Sequence, residues 1–145
     1  MNATVPPRKR IAVLISGRGS NMAALLRNDC GGDVVVVGSN KADAGGLAIA
    51  RDAGIATFAI GHKDYASREA FDGALVAALN EYRPDLVVLA GFMRILTPVF
   101  VNAFAGRLIN IHPSLLPSFP GLDTHQRALA DGVKLHGCTV HFVTP

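Results

Sequence analysis

The chain is 145 residues long, 50% hydrophobic and 17% charged, which suits a single soluble domain able to bury a core and excludes a low-complexity or disordered polymer. The formal net charge is only +3, aromatic residues make up 6% and Trp is absent, so stacking platforms and phosphate tracks are missing and a nucleic-acid partner is not expected. No apolar run approaches the roughly 20 residues that span a bilayer, and the basic residues Arg8, Lys9 and Arg10 lead into no signal-type segment, so the expected setting is cytoplasmic, with no membrane.

The first nine residues read as a disordered tail, and one domain is expected over 10–145. Ile11 to Ile15 is an apolar strand, and Met22 to Arg27 begins a helix. Val34 to Val37 is the second strand, a helix follows from about Gly45 to Ala53 and stops at Gly54, and Ala56 to Ile60 is the third strand. Ser67 opens the longest helical pattern, with Glu69 in its first turn and Phe71, Leu75, Ala78 and Leu79 at helical spacing until Arg83-Pro84;. Asp85 to Ala90 is almost wholly apolar, as in a strand covered on both faces;.

Thr97-Pro98 then reads as an N-cap and first helical residue, and Arg107 to Ile111 as a fifth strand;. The Pro113, Pro117 and Pro120 segment is an ordered loop, with Leu116-Pro117 a candidate cis bond;. Asp123 or Thr124 caps a short helix ending at Gly132, and Thr139 to Val143 alternates as an edge or antiparallel strand;. Strands alternating with helices predict an α/β fold with a mostly parallel sheet and helices on both faces.

Three segments carry candidate chemistry. Ser16-Gly17-Arg18-Gly19-Ser20-Asn21 joins a strand to a helix. Its glycines let the backbone approach an anion, and the helix N-terminus offers unpaired N–H groups. A Gly-x-Gly at this place also serves as a plain tight turn. Met stands where the dinucleotide fingerprint has its third glycine, and Ser39-Asn40-Lys41 rather than an acidic residue follows the second strand, so a monophosphate fits better than NAD;.

The second segment, Gly91-Phe92-Met93-Arg94-Ile95-Leu96, lies at the carboxyl end of the fourth strand, where ligands of open α/β sheets bind;. Its apolar residues are equally suited to packing over the sheet, which leaves Arg94 unaccounted for. In the third, Asn110 and His112 stand two residues apart at a strand end and so face the same way;. An amide donor beside an imidazole can stabilise an oxyanion and move a proton, which points to acyl transfer. Cys30 and Cys138 read as ordinary reduced thiols, and the five His residues lack metal-ligand spacing, so no metal is expected;.

Together, Gly17 to Asn21, Gly91 to Leu96 and Asn110 to Pro117 resemble the phosphoribosylglycinamide formyltransferase family. The likeness runs from Arg10 to Thr144 and includes Ser39 to Ala44, Ser67 to Phe71 and Val140 to Val143. It implies a three-layer, Rossmann-like formyltransferase fold. It also implies transfer of a formyl group from 10-formyltetrahydrofolate, as cosubstrate, to the amine of glycinamide ribonucleotide in de novo purine synthesis, without a metal.

By the same resemblance Asn110 and His112 are catalytic, and Gly19, Ser20 and Asn21 hold the ribose phosphate. Gly91 and Pro113 line the path of that substrate, while Arg68, Met93, Arg94, Ile95 and Leu96 contact the folate. Family members continue past the strand matching His141 to Thr144 with an Asp-Gly-Gly-Pro-like loop whose carboxylate sits beside the histidine. The expectation for a chain ending at Pro145 is a domain truncated at its C-terminal end that keeps the phosphate site but turns over poorly. A methionyl-tRNA formyltransferase-like enzyme also uses Asn-x-His, although Pro113 and the Gly19-Ser20-Asn21 loop favour the purine enzyme. A noncatalytic nucleotide-binding fragment is the alternative of a different class, and a monomer or weak homodimer is expected.

Overall fold

The computed structural model describes residues 8–28, 30–112, 116, 118, 120–133, 135 and 137–144. Strand β1 (Lys9–Ile15) is followed by α1 (Ser20–Arg27), β2 (Gly32–Ser39), α2 (Gly45–Asp52) and β3 (Ala56–Ala59). A short 3-10 turn at His62–Asp64 leads to α3 (Arg68–Asn80), β4 (Leu86–Leu89), α4 (Pro98–Ala103), β5 (Leu108–His112), α5 (Thr124–Asp131) and β6 (Thr139–Phe142). The strands form one sheet in the order β3-β2-β1-β4-β5-β6. All neighbours are parallel except β6, which pairs antiparallel with β5 at the edge.

The unbroken apolar run of β1 is stable because both faces of the sheet are covered. Ile11, Val13 and Ile15 point to one face, where they pack with Met22 of α1 and Leu47 and Ala50 of α2. Ala12 and Leu14 point to the other, where Phe71, Leu75 and Leu79 of α3 meet Phe100 and Val101 of α4. The three layers expected from the alternation of elements are therefore present. Among the described residues no helix is long and apolar enough to cross a membrane.

Element edges differ from the sequence reading in instructive ways. The tail expected over the first nine residues does not include its last two, because Lys9 already belongs to β1 and Arg8 donates through Nε to Asp33 Oδ1 (2.8 Å) and through Nη2 to the Gly32 carbonyl (3.0 Å); the first seven lie outside the described residues. Helix α1 starts at Ser20 rather than Met22, and β5 runs to His112. The Leu116-Pro117 bond and most of the proline-rich loop lie outside the described residues.

Ser67 caps α3 as expected, its hydroxyl accepting from the Ala70 N–H (3.1 Å);. Thr97 holds the N-cap position of α4 but makes no side-chain cap; its hydroxyl is turned toward α3, donating to Asp72 Oδ2 (2.6 Å), which also accepts the Thr97 N–H (2.7 Å). Asp123 likewise stands at the N-cap of α5 with φ 54° and makes no side-chain cap. Helices α1 and α2 approach so closely that only glycine fits at their meeting point. A Cβ on Gly19, whose φ is +69°, would lie 2.9 Å from Met22 Cε and 3.0 Å from Gly46 Cα.

Two stability changes follow. Asp72→Ala strands the buried Thr97 donors and should cost about 2–3 kcal/mol by urea unfolding, an unchanged midpoint being the contrary result. Gly19→Ala combines left-handed strain with a backbone clash and should cost about 1–3 kcal/mol, whereas Ser20→Ala on the exposed first turn should shift the thermal midpoint far less;.

Candidate active site

From β1 the chain winds outward to β2 and β3, then returns through α3 to place β4 on the other side of β1. The carboxyl ends of β1 and β4 thus flank a topological switch point, the place where an open α/β sheet leaves a crevice. The loop after β1 carries Gly17 to Gly19 and the loop after β4 carries Gly91 to Leu96. A buried hydrogen-bond junction ties them together.

At that junction the Ser16 hydroxyl donates to Asn40 Oδ1 (2.6 Å) and accepts from the Met93 N–H (2.8 Å), while the Ser16 N–H donates to the Gly91 carbonyl (3.1 Å). The Gly46 N–H donates to the Gly17 carbonyl (3.0 Å), which fastens the first loop to α2 as well. Ser16 and Asn40 are both buried. Asn40, which the sequence showed only as part of the non-acidic Ser39-Asn40-Lys41 segment after the second strand, thereby acquires a structural role.

Asn110 and His112 lie on β5, beside β4, and both line a cleft of about 640 Å³ together with Gly91, Phe92, Met93, Arg94, Ile95 and Leu122. A second cleft of about 310 Å³ shares Phe92, Arg94, Ile95 and Asn110 and continues to Leu96, Val101, His141 and Thr144. Asn110 therefore stands on the wall common to both. Its neighbour across the sheet is His141, since the antiparallel register pairs Asn110 with His141 and His112 with Thr139.

The Asn110 side-chain nitrogen lies 3.4 Å from His141 Nε2, and His141 Nδ1 lies 3.1 Å from the Phe142 carbonyl. A carbonyl can only accept, so Nδ1 carries the proton and Nε2 accepts from the Asn110 amide. This contact directs one N–H of the amide, and the other has no hydrogen-bond partner among the described residues. His141 was missed as a site residue because its signal is the β5–β6 register, which strand alternation alone does not set.

Arg94, unaccounted for in the sequence, places its guanidinium 5.4 Å from the Phe71 ring centroid, a cation–π distance;. Its Nε is buried and has no hydrogen-bond partner among the described residues. Gly19, Ser20 and Asn21 sit at the N-terminus of α1, outside the lining of both clefts but joined to them through Ser16. Arg68 is exposed in the first turn of α3 and lines neither cleft, and Pro113 lies outside the described residues. Among the described residues no group of three or more His, Cys, Asp or Glu side chains is placed to hold a metal ion.

The same layout recurs in known proteins. The formyl transferase family matches residues 9–145. The chain is 56% identical over 138 residues to phosphoribosylglycinamide formyltransferase of Escherichia coli (strain K12), covering 92% of this chain and 65% of that protein. It is 54% identical over 142 residues to the trifunctional purine biosynthetic protein adenosine-3 of Drosophila melanogaster, covering 94% of this chain and 10% of that one. It thus spans just under two thirds of the bacterial relative and a small part of the insect one.

Among solved structures, glycinamide ribonucleotide transformylase 1 from Symbiobacterium toebii superposes with a TM-score of 0.93 at 48% identity, over 99% of this chain and 70% of that chain. Phosphoribosylglycinamide formyltransferase from Brucella melitensis superposes with a TM-score of 0.89 at 55% identity, over 94% of this chain and 73% of that chain. A sheet whose switch-point loops converge on an Asn-x-His strand, matched in sequence and shape along nearly its whole length, shows that the chain belongs to the formyl transferase family.

Proposed function

We propose that this chain carries the site at which a formyl group passes from 10-formyltetrahydrofolate to the primary amine of glycinamide ribonucleotide, a step of purine biosynthesis. The observation that carries this reading is the placement of Asn110 and His112 on one wall of the cleft at the sheet's switch point. The names of the bacterial relatives point to the same acceptor.

The clefts suit a flat, mostly apolar donor. Met93, Ile95 and Leu122 are 61%, 76% and 66% exposed, apolar surface that a ring system can cover. Arg94 lines both clefts, and its guanidinium gives them a positive charge and hydrogen-bond donors that suit the polar atoms of such a ring system;. Met93, Arg94, Ile95 and Leu96 therefore hold the folate in this reading. Arg68, outside the clefts, suits only a part of the ligand that extends beyond them, such as its carboxylate tail. The first-turn N–H groups of α1 at Gly19, Ser20 and Asn21, with no acidic residue in that turn, suit the ribose phosphate;. Gly91, on the wall of the larger cleft, lines the path of the same substrate in this reading, and the family resemblance assigns Pro113 to that path as well.

When bound, the folate supplies an electrophilic formyl carbon. The Asn110 amide N–H left free by His141 donates to the formyl oxygen as it gains negative charge, and His112 in its charged form stabilises the same oxygen. The amine loses one proton overall and the departing folate nitrogen gains one, and His112 is placed to move it. Holding both substrates in line across the switch point contributes the remaining advantage. Cys30 and Cys138 are free thiols, in keeping with the cytoplasmic setting this reading carries;.

Formyl transfer measured by folate absorbance, with glycinamide ribonucleotide as acceptor, tests the reading. Asn110→Ala and His112→Ala should each lower kcat by about 10²–10³, the usual loss for a removed oxyanion donor, with unchanged unfolding midpoints. His141→Phe, which removes the acceptor that orients Asn110, should lower kcat by about tenfold. Variants as active as the parent chain would place the chemistry elsewhere, and binding of the nucleotide without transfer would support a noncatalytic module.

A further inference from the structure

We infer that Ser16 is a positioning residue for the formyl-donor loop, its hydroxyl setting how Met93 to Leu96 face the clefts. The inference rests on the formyl-transfer reading above and concerns a residue that touches neither proposed substrate. Ser16 is buried at the end of β1, and its hydroxyl accepts from the Met93 N–H (2.8 Å) while donating to Asn40 Oδ1 (2.6 Å). A hydroxyl engaged as donor and acceptor at once fixes the direction of both bonds.

The consequence lies in the loop it holds. Gly91 to Leu96 leaves β4 and reaches α4, and it is fastened at two places by side chains from other elements. Ser16 takes the Met93 N–H, and Asp72 takes the Thr97 N–H and hydroxyl. Between these anchors stand Arg94, Ile95 and Leu96, which line the clefts. Loss of the Met93 anchor frees the peptide planes that present these residues to the donor. The phosphate-binding turn keeps its own fastenings, since the Ser16 N–H bond to Gly91 and the Gly46 N–H bond to Gly17 use backbone atoms alone.

The test compares the chain with Ser16→Ala and Ser16→Thr. Calorimetry gives the affinities for inorganic phosphate and for a stable folate analogue, hydrogen exchange gives the protection of the Met93 amide, and thermal unfolding gives stability. Ser16→Ala should weaken the folate analogue about tenfold, leave phosphate within about twofold and speed Met93 exchange at least about tenfold, while Ser16→Thr keeps the hydroxyl and restores the folate affinity and the Met93 protection. Parallel loss of both ligands, tracking a fall in stability, would make Ser16 merely structural and overturn the inference, as would an unchanged folate affinity. A parent chain that binds phosphate but no folate analogue would count against the formyl-transfer reading instead. The Met93 amide then decides the present inference alone, accelerated exchange in Ser16→Ala supporting it and unchanged exchange overturning it.

Discussion

The position of β1 between β2 and β4 is the constraint on which the rest of the structure depends. Because the chain first builds outward through β2 and β3 and then returns through α3, the loops after β1 and β4 diverge over opposite faces of the sheet and leave a crevice between them;. A crevice of this kind exposes strand-end backbone, and its edges need fastening. The buried Ser16 hydroxyl supplies that fastening with hydrogen bonds to the ends of two other segments, at Asn40 and Met93.

Placement of Asn110 and His112 depends on the neighbouring part of the sheet. Strand β5 continues the parallel sheet from β4, which carries Asn110 and His112 toward the switch point. Strand β6 runs back antiparallel, and its register brings His141 opposite Asn110. An amide that could rotate freely would lose part of its value as an oxyanion donor. The accepting nitrogen of His141 gives it a preferred orientation before any ligand arrives;.

Most of the fold was legible in the sequence because parallel strands covered on both faces are nearly continuous apolar runs. Ile11 to Ile15, Val34 to Val37 and Leu86 to Leu89 could hardly be read otherwise;. Asn110 and His112 were legible for a related reason, since side chains two apart on a strand share a face. The boundary residues were less so. Thr97 has the chemistry of a helix cap, yet its hydroxyl is turned to donate to the carboxylate of Asp72, distant in sequence, and caps nothing. His141 depends on strand register and Ser16 on which loops meet, and both are properties of the assembled sheet. The glycines and helix N-terminus of Ser16 to Asn21 suggested an anion site without any family likeness, whereas a folate contact at Arg68 was expected from the resemblance alone; the two clefts enclose neither Gly19 to Asn21 nor Arg68;.

The central claim is that the reacting formyl group lies against Asn110 and His112. Its most direct test is a transferred nuclear Overhauser measurement on the chain with a folate analogue carrying a ¹³C-labelled formyl group, in the presence of glycinamide ribonucleotide. The account predicts contacts from the formyl proton to the Asn110 side-chain amide and the His112 ring, lost when excess unlabelled analogue competes. Contacts to residues away from β5, or none while the analogue remains bound, would contradict it.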